Sequence, residues 1–236
     1  MAKKKVTTYT WDMFFKRLQE NIFRPKRQTK DILFRLVFGN DRQALLQLYN
    51  ALHGTAYTNP HELQIVTLDN AIYISRKNDL AFLLAGSINM YEHQSTLNPN
   101  MPVRFLIYLA QEYQLLVEST DKSLYGSELI PLPTPQCVVF YNGTADTPDE
   151  YELRLSSAFS NQDVEPAVEV VVNVININYG HNEHLMQGCG LLSQYAQFVA
   201  VTREYANKYN NREESMNAAI EYCIEHGILE DILRKH

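Results

Sequence analysis

Residues 77–96, KNDLAFLLAGSINMYEHQST, form the stretch on which the fold depends. Two apolar runs flank Gly86 and Ser87, and such runs around a two-residue turn signal predict a β-hairpin. Because alternate residues of a strand share a face, Glu92 and Gln94 are expected to point the same way. The second strand therefore carries an acid and an amide on one side.

The pairing of the two strands decides which polar groups meet. With Gly86 and Ser87 as the loop, Asp79 lies opposite Gln94, and directly opposite residues share a face. Asp79, Glu92 and Gln94 are therefore predicted to converge on one patch of the sheet. A register shift of two residues preserves this result, whereas a shift of one residue destroys it.

Two carboxylates beside an amide suit a divalent ion that prefers oxygen ligands. Mg²⁺ and Mn²⁺ bind one or two carboxylates with carbonyls and water, and leave positions for a substrate phosphate. The backbone carbonyl of His93 is a further candidate ligand, while the His93 side chain is expected to face away from the acids. The structural alternative places Asp79 in an Asn-Asp turn and pairs Glu92 with a lysine or arginine.

The flanking segments predict helices around a mixed sheet. Apolar stripes indicate helices at 31–38, at 42–54 and from about 99 to 118, and the chain reads as helical from 183 onward with a loosening at Gly188 and Gly190. Thr29 or Asp31 is the expected cap of the first helix. Further strands are expected at 62–68, 71–75, 136–143, 152–159 and 167–178. This order predicts an α/β fold with a mixed central β-sheet flanked by helices and a helical C-terminal region.

Charge is distributed unevenly along the 236 residues. The whole chain has a net charge of −6, but residues 1–45 contain eleven Lys or Arg and four Asp or Glu, a charge of +7, which leaves −13 on the remainder. The basic segment suits a polyanion, with Lys26, Arg27 and Lys30 as candidate DNA-backbone contacts, or it is a solvated arm. The acidic remainder argues against broad nonspecific coating of DNA.

Membrane and secretory features are not expected. No apolar run reaches the roughly 18 residues that a membrane span needs, and the N-terminal segment lacks the apolar core of a secretory signal. The three cysteines are an odd, widely spaced set without metal-type pairing, so a reducing cytoplasm is the expected location. Tyr195, Phe198, Val199 and Tyr205 in the C-terminal helices could serve either a core or a homo-oligomer interface.

Five strings carry a resemblance to a known family. They are DILFRLVFG at 31–39, ND at 78–79, EHQSTLNPNMPVR at 92–104, PLPTP at 131–135 and VFYNG at 139–143. Together they resemble the PD-(D/E)XK nuclease superfamily, and more closely its transposase-associated, recombination-promoting branch. The likeness spans about residues 30–235.

The resemblance implies a restriction-endonuclease-like fold and a DNA endonuclease that depends on Mg²⁺ or Mn²⁺. It makes Asp79 the motif aspartate, Glu92 the motif glutamate and Asp31 an accessory acid. The implied organisation is a basic arm at 1–29, a nuclease core at 30–182, and C-terminal helices at 183–236 packed on the same domain. The biological setting (recombination, mobile elements or defence) and RNA as a substrate stay open.

The lysine position of the family motif is a departure, because Gln94 occupies it. A lysine offers charge to the attacking water or the phosphate, whereas an amide can only orient them by hydrogen bonds. Arg104, early in the following helix, is a candidate to return that charge, and its alternative role is a surface salt bridge. A nuclease fold that no longer cuts, and that binds nucleic acid or protein, is the second functional hypothesis.

Overall fold

The computed structural model describes residues 28–66 and 79–234, with side chains from residue 33 onward. The predicted features that lie outside the described main chain or side chains are Lys26, Arg27, most of the basic arm at 1–29, the side chains of Lys30 and Asp31, Asn78, and the strand at 71–75.

Helices form in the described chain where apolar stripes predicted them. In chain order they are α1 (Gln28–Gly39), α2 (Arg42–His53), α3 (Met101–Glu118), α4 (Glu183–Gly188), α5 (Gly190–Lys208), α6 (Arg212–Glu225) and α7 (Glu230–Leu233). The expected loosening is confirmed, since α4 ends at Gly188 and α5 begins at Gly190. The expected cap of α1 is wrong, because that helix begins at Gln28 and Thr29 and Asp31 lie inside it.

The strands of the described residues assemble into one six-stranded mixed sheet. They are β1 (Gln64–Ile65), β2 (Leu80–Leu84), β3 (Ser87–Gln94), β4 (Thr134–Tyr141), β5 (Glu150–Arg154) and β6 (Val171–Asn176), and their order is β1-β2-β3-β4-β6-β5. The β3–β4 and β4–β6 pairs are parallel and the others are antiparallel. Helix α3 is the crossover between β3 and β4, as a parallel pair requires. These observations confirm the α/β class and the mixed sheet.

Two predicted strands are shorter than expected, and a third begins later. The segment predicted at 62–68 starts with a 3₁₀ turn at Pro60–Glu62, capped by the Asn59 side chain, and within its described part, residues 62–66, the strand is Gln64–Ile65. The segment at 152–159 turns into a 3₁₀ helix after Arg154. β6 occupies only the centre of 167–178, because Val168 lies outside the sheet and is 52% exposed.

The central hairpin turns one residue earlier than the sequence predicts. Leu84 pairs with Ser87, so the loop is Ala85-Gly86 rather than Gly86-Ser87. Ala85 has φ 50° and Gly86 has φ 77°, as a type I′ hairpin turn requires at both central positions. The strand pairing therefore shifts by two residues, which leaves every side chain within β2 and β3 on its predicted face.

The sheet separates two apolar cores. On one face, α1, α2 and α5 cover Phe82, Tyr91 and Phe140; on the other, α3 covers Met90 and Val139. The C-terminal helices belong to the first core, where Tyr195, Phe198 and Val199 are buried. These three side chains therefore serve the core rather than a subunit interface. No helix in the described residues is long and apolar enough to cross a membrane.

The turn yields a prediction about stability. Alanine at φ > 0 costs about 1–2 kcal/mol, so Ala85→Asn should raise the free energy of unfolding by about 0.5–1 kcal/mol. Gly86→Ala should lower the free energy of unfolding by about 1 kcal/mol. A Cβ at Gly86 would meet nothing within 4 Å, so the loss comes only from the positive φ that alanine disfavours. Urea unfolding of both variants measures these changes, and destabilisation by Ala85→Asn would contradict the turn assignment.

Helix α3 buries an acid against the sheet. Met101, Phe105, Tyr108 and Glu112 recur at helical spacing on the buried side of this helix, and Glu112 is 2% exposed. Within residues 28–66 and 79–234, Oε1 of Glu112 has no hydrogen-bond partner. Burial raises the pKa of Glu112 from 4.5 to about 7, because desolvation disfavours the charged form.

The raised pKa predicts that stability falls as pH rises. The folded chain holds the Glu112 proton more tightly than the unfolded chain, so this contribution is complete below pH 4.5 and is lost as pH passes about 7. Glu112→Gln should therefore have a higher free energy of unfolding than the wild type at pH 8, by about 3 kcal/mol, and about the same free energy of unfolding as the wild type at pH 4.5. Urea unfolding across this range tests it, with the exposed Glu118→Gln on the same helix as the control. Parallel pH profiles for wild type and Glu112→Gln would contradict the prediction.

Candidate functional site

Asp79 lies at the bend before β2, with both carboxylate oxygens in hydrogen bonds. Oδ2 accepts from the backbone N–H of His93 at 2.8 Å. Oδ1 accepts from Nε of Arg35 at 2.6 Å and also from Nη2 of that arginine. The Asp79 side chain is 4% exposed and that of Arg35 is 29% exposed. A buried carboxylate at the strand end is thus paired with an arginine from α1.

Glu92, near the end of β3, is paired with an arginine from α3, which covers the other face of the sheet from α1. Nη2 of Arg104, on α3, lies 3.1 Å from Oε2 of Glu92, and the Glu92 side chain is 3% exposed. Gln94 joins this pair: with its amide oriented to satisfy both of its groups, the oxygen accepts from Arg104 Nη1 at 2.8 Å and the nitrogen donates to the Thr96 carbonyl at 3.2 Å. Arg104 therefore connects Glu92 to Gln94.

Tyr108 fixes the position of Arg104. Its hydroxyl oxygen accepts from Nε of Arg104 at 3.3 Å and from Nη2 at 3.2 Å, one helical turn farther along α3. Burial opposes the guanidinium charge, but Glu92 and the Tyr108 hydroxyl outweigh that effect and raise the pKa of Arg104. Burial, reinforced by the charges of Glu92 and Asp79, raises the pKa of Tyr108. Arg104 stays charged and Tyr108 stays a neutral hydroxyl.

His93 faces away from Glu92, as its alternation on the strand predicts. Its Nε2 lies 2.8 Å from the hydroxyl of Tyr195 on α5, and its ring stacks on Phe34 at a centroid distance of 5.1 Å. The side chain is buried at 3% exposure. It belongs to the core under α1 and α5, and is therefore a structural neighbour of the site rather than a base within it.

The main chain of His93 is directed toward Asp79. The N–H of Asn142 donates to the Gln94 carbonyl at 2.8 Å, so Gln94 directs its backbone groups at β4. Backbone groups alternate in direction along a strand, and those of His93 therefore point toward β2, where its N–H meets Asp79. The carbonyl predicted as a ligand thus lies on the side of β3 that Asp79 occupies.

The three polar residues of the hairpin meet at one corner of the sheet, although not as a flat patch. Glu92 and Gln94 share the face that α3 covers, whereas Asp79 stands at the strand end and is reached by Arg35 from the other face. The charge of Asp79 nevertheless acts on both Arg104 and Tyr108. The two acids are therefore close enough to influence the same groups.

The oxygen ligands at this corner are of the chemical type that a hard divalent ion prefers. Asp79 and Glu92 supply two carboxylates and His93 supplies a carbonyl, and Mg²⁺ takes one or two carboxylates with water and phosphate. Among the residues that the structure describes, no group of three or more His, Cys, Asp or Glu side chains is placed to hold a metal. An ion at this corner would therefore complete its shell from water and substrate.

Comparison with known proteins identifies no relative of this chain. The chain matches no family model, no curated protein and no solved structure.

The sequence reasoning missed two residues of the site, Arg35 and Tyr108, and the contact of Tyr195 with His93 in the core beside the site. Arg35 lies inside the apolar string DILFRLVFG, where a charged residue between buried neighbours is a usable signal. Tyr108 follows Arg104 by four residues, which is the spacing of helical neighbours. Tyr195 gave no comparable signal, because its partner His93 lies 102 residues away in the chain.

Arg203, also unforeseen, holds the turn after β4. Its Nη2 donates to the Asn142 carbonyl at 2.7 Å and to that of Gly143 at 3.3 Å, and its Nη1 donates to Asn178 Oδ1 at 2.7 Å. Tyr141 folds over the same turn, where a Cβ on Gly143 would clash with its hydroxyl oxygen. Residues 141–143 therefore form a tightly held strand end beside Gln94.

The Arg104–Glu92 pair yields a stability prediction. Arg104→Met leaves the Glu92 charge buried beside an apolar chain, so it should lower the free energy of unfolding by about 2–4 kcal/mol. Glu92→Gln combined with Arg104→Met should recover part of that loss, because no buried charge then lacks its counterpart. A double-mutant cycle in urea measures the coupling. Coupling below about 0.5 kcal/mol would contradict a functioning pair.

Proposed function

We propose that this protein is a divalent-metal-dependent DNA endonuclease of the PD-(D/E)XK type. The observation that carries the proposal is that two buried carboxylates, Asp79 and Glu92, lie on neighbouring strands at one corner of the sheet, each with an arginine within hydrogen-bond distance. The α/β fold and the motif strings around both acids support it. The branch suggested by those strings places its activity in recombination, mobile-element movement or defence.

The chemistry follows from the residues at this corner. Asp79, Glu92 and the His93 carbonyl would hold Mg²⁺ or Mn²⁺, which supplies an activated water and stabilises the leaving oxygen of a phosphodiester. Gln94 orients water or a phosphate oxygen through its amide. Arg104, positioned by Tyr108, supplies the positive charge that the motif lysine would otherwise give. Lys26, Arg27 and Lys30 would contact the DNA backbone, which positions DNA without reading bases.

A second candidate function is a nuclease fold that binds without cutting. The observation in its favour is that Arg35 and Arg104 already neutralise the two acids, while Gln94 stands at the lysine position. In that reading the arginines are permanent structural partners. The protein would then bind nucleic acid or another protein through other surfaces.

Cleavage of supercoiled plasmid, single-stranded DNA and RNA with Mg²⁺ or Mn²⁺ tests the two functions. Asp79→Asn and Glu92→Gln should each lower the cleavage rate by at least about 100-fold, because they remove charge with little change of shape. Glu118→Gln, an exposed acid on α3, is the matched control. Gln94→Lys should retain or increase activity.

The outcomes separate the candidates. Full activity in Asp79→Asn and Glu92→Gln would refute the site assignment. Binding of DNA by the wild type without cleavage, and without heat from Mn²⁺ at millimolar concentration, would favour the module that binds without cutting.

A further inference from the structure

Arg35 closes the Asp79 carboxylate on the side of α1. Two N–H groups of its guanidinium donate to the same oxygen, Oδ1, while the His93 N–H donates to Oδ2. Charge-assisted bonds from a planar fork are the strongest class of hydrogen bond in proteins. Asp79, one of the two proposed cation ligands, is therefore already compensated by a side chain of the protein itself.

The arginine is the more exposed partner of the pair. The Asp79 side chain is 4% exposed and the Arg35 side chain is 29% exposed, and the Glu92–Arg104 pair is arranged similarly at 3% and 23%. Each buried carboxylate thus has a guanidinium that retains contact with solvent. A guanidinium in that position can leave the acid without first being extracted from the core.

A cation and Arg35 compete for the same carboxylate. Hydrogen bonds from two N–H groups of Arg35 occupy the lone-pair directions of Oδ1, so an ion that binds Oδ1 displaces the guanidinium. An ion that binds Oδ2 is opposed by the positive charge of Arg35 across the same carboxylate. A guanidinium displaced from Asp79 can donate to a phosphate, an acceptor that matches its fork geometry. Asp79 in turn is compensated by the ion.

We propose that Arg35 is a latch on Asp79 that competes with the cation, and that a DNA phosphate takes its guanidinium when the cation binds. The proposal rests on the proposed function, since it assigns a role to Arg35 within that site. By linkage, the latch makes cation binding and DNA binding strengthen each other to the same extent. The site therefore holds its cation tightly only when substrate is present.

Manganese binding to the full-length chain tests the latch. Mn²⁺ is titrated by calorimetry, and by the electron paramagnetic resonance signal of the free ion, with and without a short DNA duplex that contains phosphorothioate linkages resistant to hydrolysis. Without DNA, Arg35→Met should bind Mn²⁺ at least about tenfold more tightly than the wild type, a difference of about 1.4 kcal/mol. DNA should tighten Mn²⁺ binding by the wild type about tenfold and by Arg35→Met less than threefold.

Arg42→Met is the matched control, because Arg42 is exposed at the start of α2 and its loss changes the net charge equally. It should leave both the Mn²⁺ affinity and the effect of DNA within twofold of the wild type. If Arg35→Met does not fold, as circular dichroism would show, Arg35→Gln replaces it, since glutamine retains an N–H donor without the charge. Arg35→Gln should shift Mn²⁺ affinity in the same direction.

The outcomes distinguish the latch from the proposed function. If Mn²⁺ binds the wild type through Asp79 and Glu92 but Arg35→Met binds it equally or more weakly, the latch is refuted and the nuclease proposal stands. If Arg35→Met binds Mn²⁺ and the wild type binds it only with DNA, the latch is supported. If no protein in the set binds Mn²⁺, the latch and the nuclease proposal both fail.

Discussion

Burial of two carboxylates is the constraint on which the candidate site depends. A carboxylate removed from water costs several kcal/mol unless a charged partner compensates it, and the side chains of Asp79 and Glu92 are almost fully buried. One arginine from each face of the sheet compensates these charges: Arg35 from α1 pairs with Asp79, and Arg104 from α3 pairs with Glu92. These helices therefore cover the two cores and also set the electrostatics between them.

Local periodicity explains what the sequence predicted well. Alternation along β3 placed Glu92 and Gln94 on one face and His93 on the other, since a strand has a fixed repeat of two. The turn was misplaced because Ala85 adopts a positive φ that alanine rarely adopts. The side chains of β2 and β3 still lie on the predicted faces, because the register differs from the prediction by an even number of residues. The sheet order, with β6 between β4 and β5, is a tertiary outcome that chain order does not encode.

The partners of the acids were harder to predict than the acids. Arg104 could be proposed because it lies 12 residues after Glu92, at the start of the helix that leaves the same strand. Arg35 stood out as a charged residue within an apolar string, but its pairing with Asp79 joins segments 44 residues apart and could not be predicted. Sequence patterns thus identify the buried carboxylates that need a positive partner, whereas the packing of distant elements decides which arginine supplies the charge. A site built from such long-range pairs can therefore be predicted only in part from one stretch of sequence.

The position of β3 within the sheet has a consequence for the order of folding. Its antiparallel partner β2 is the neighbouring arm of a hairpin, but its parallel partner β4 begins only at Thr134, after the whole of α3. Contacts between distant segments form slowly, because the loop entropy is lost before the contact is gained. The hairpin can therefore form early, while its acids stay hydrated until the long-range partners arrive. We expect the corner that holds Asp79 and Glu92 to be among the last parts of the chain from which water is excluded during folding.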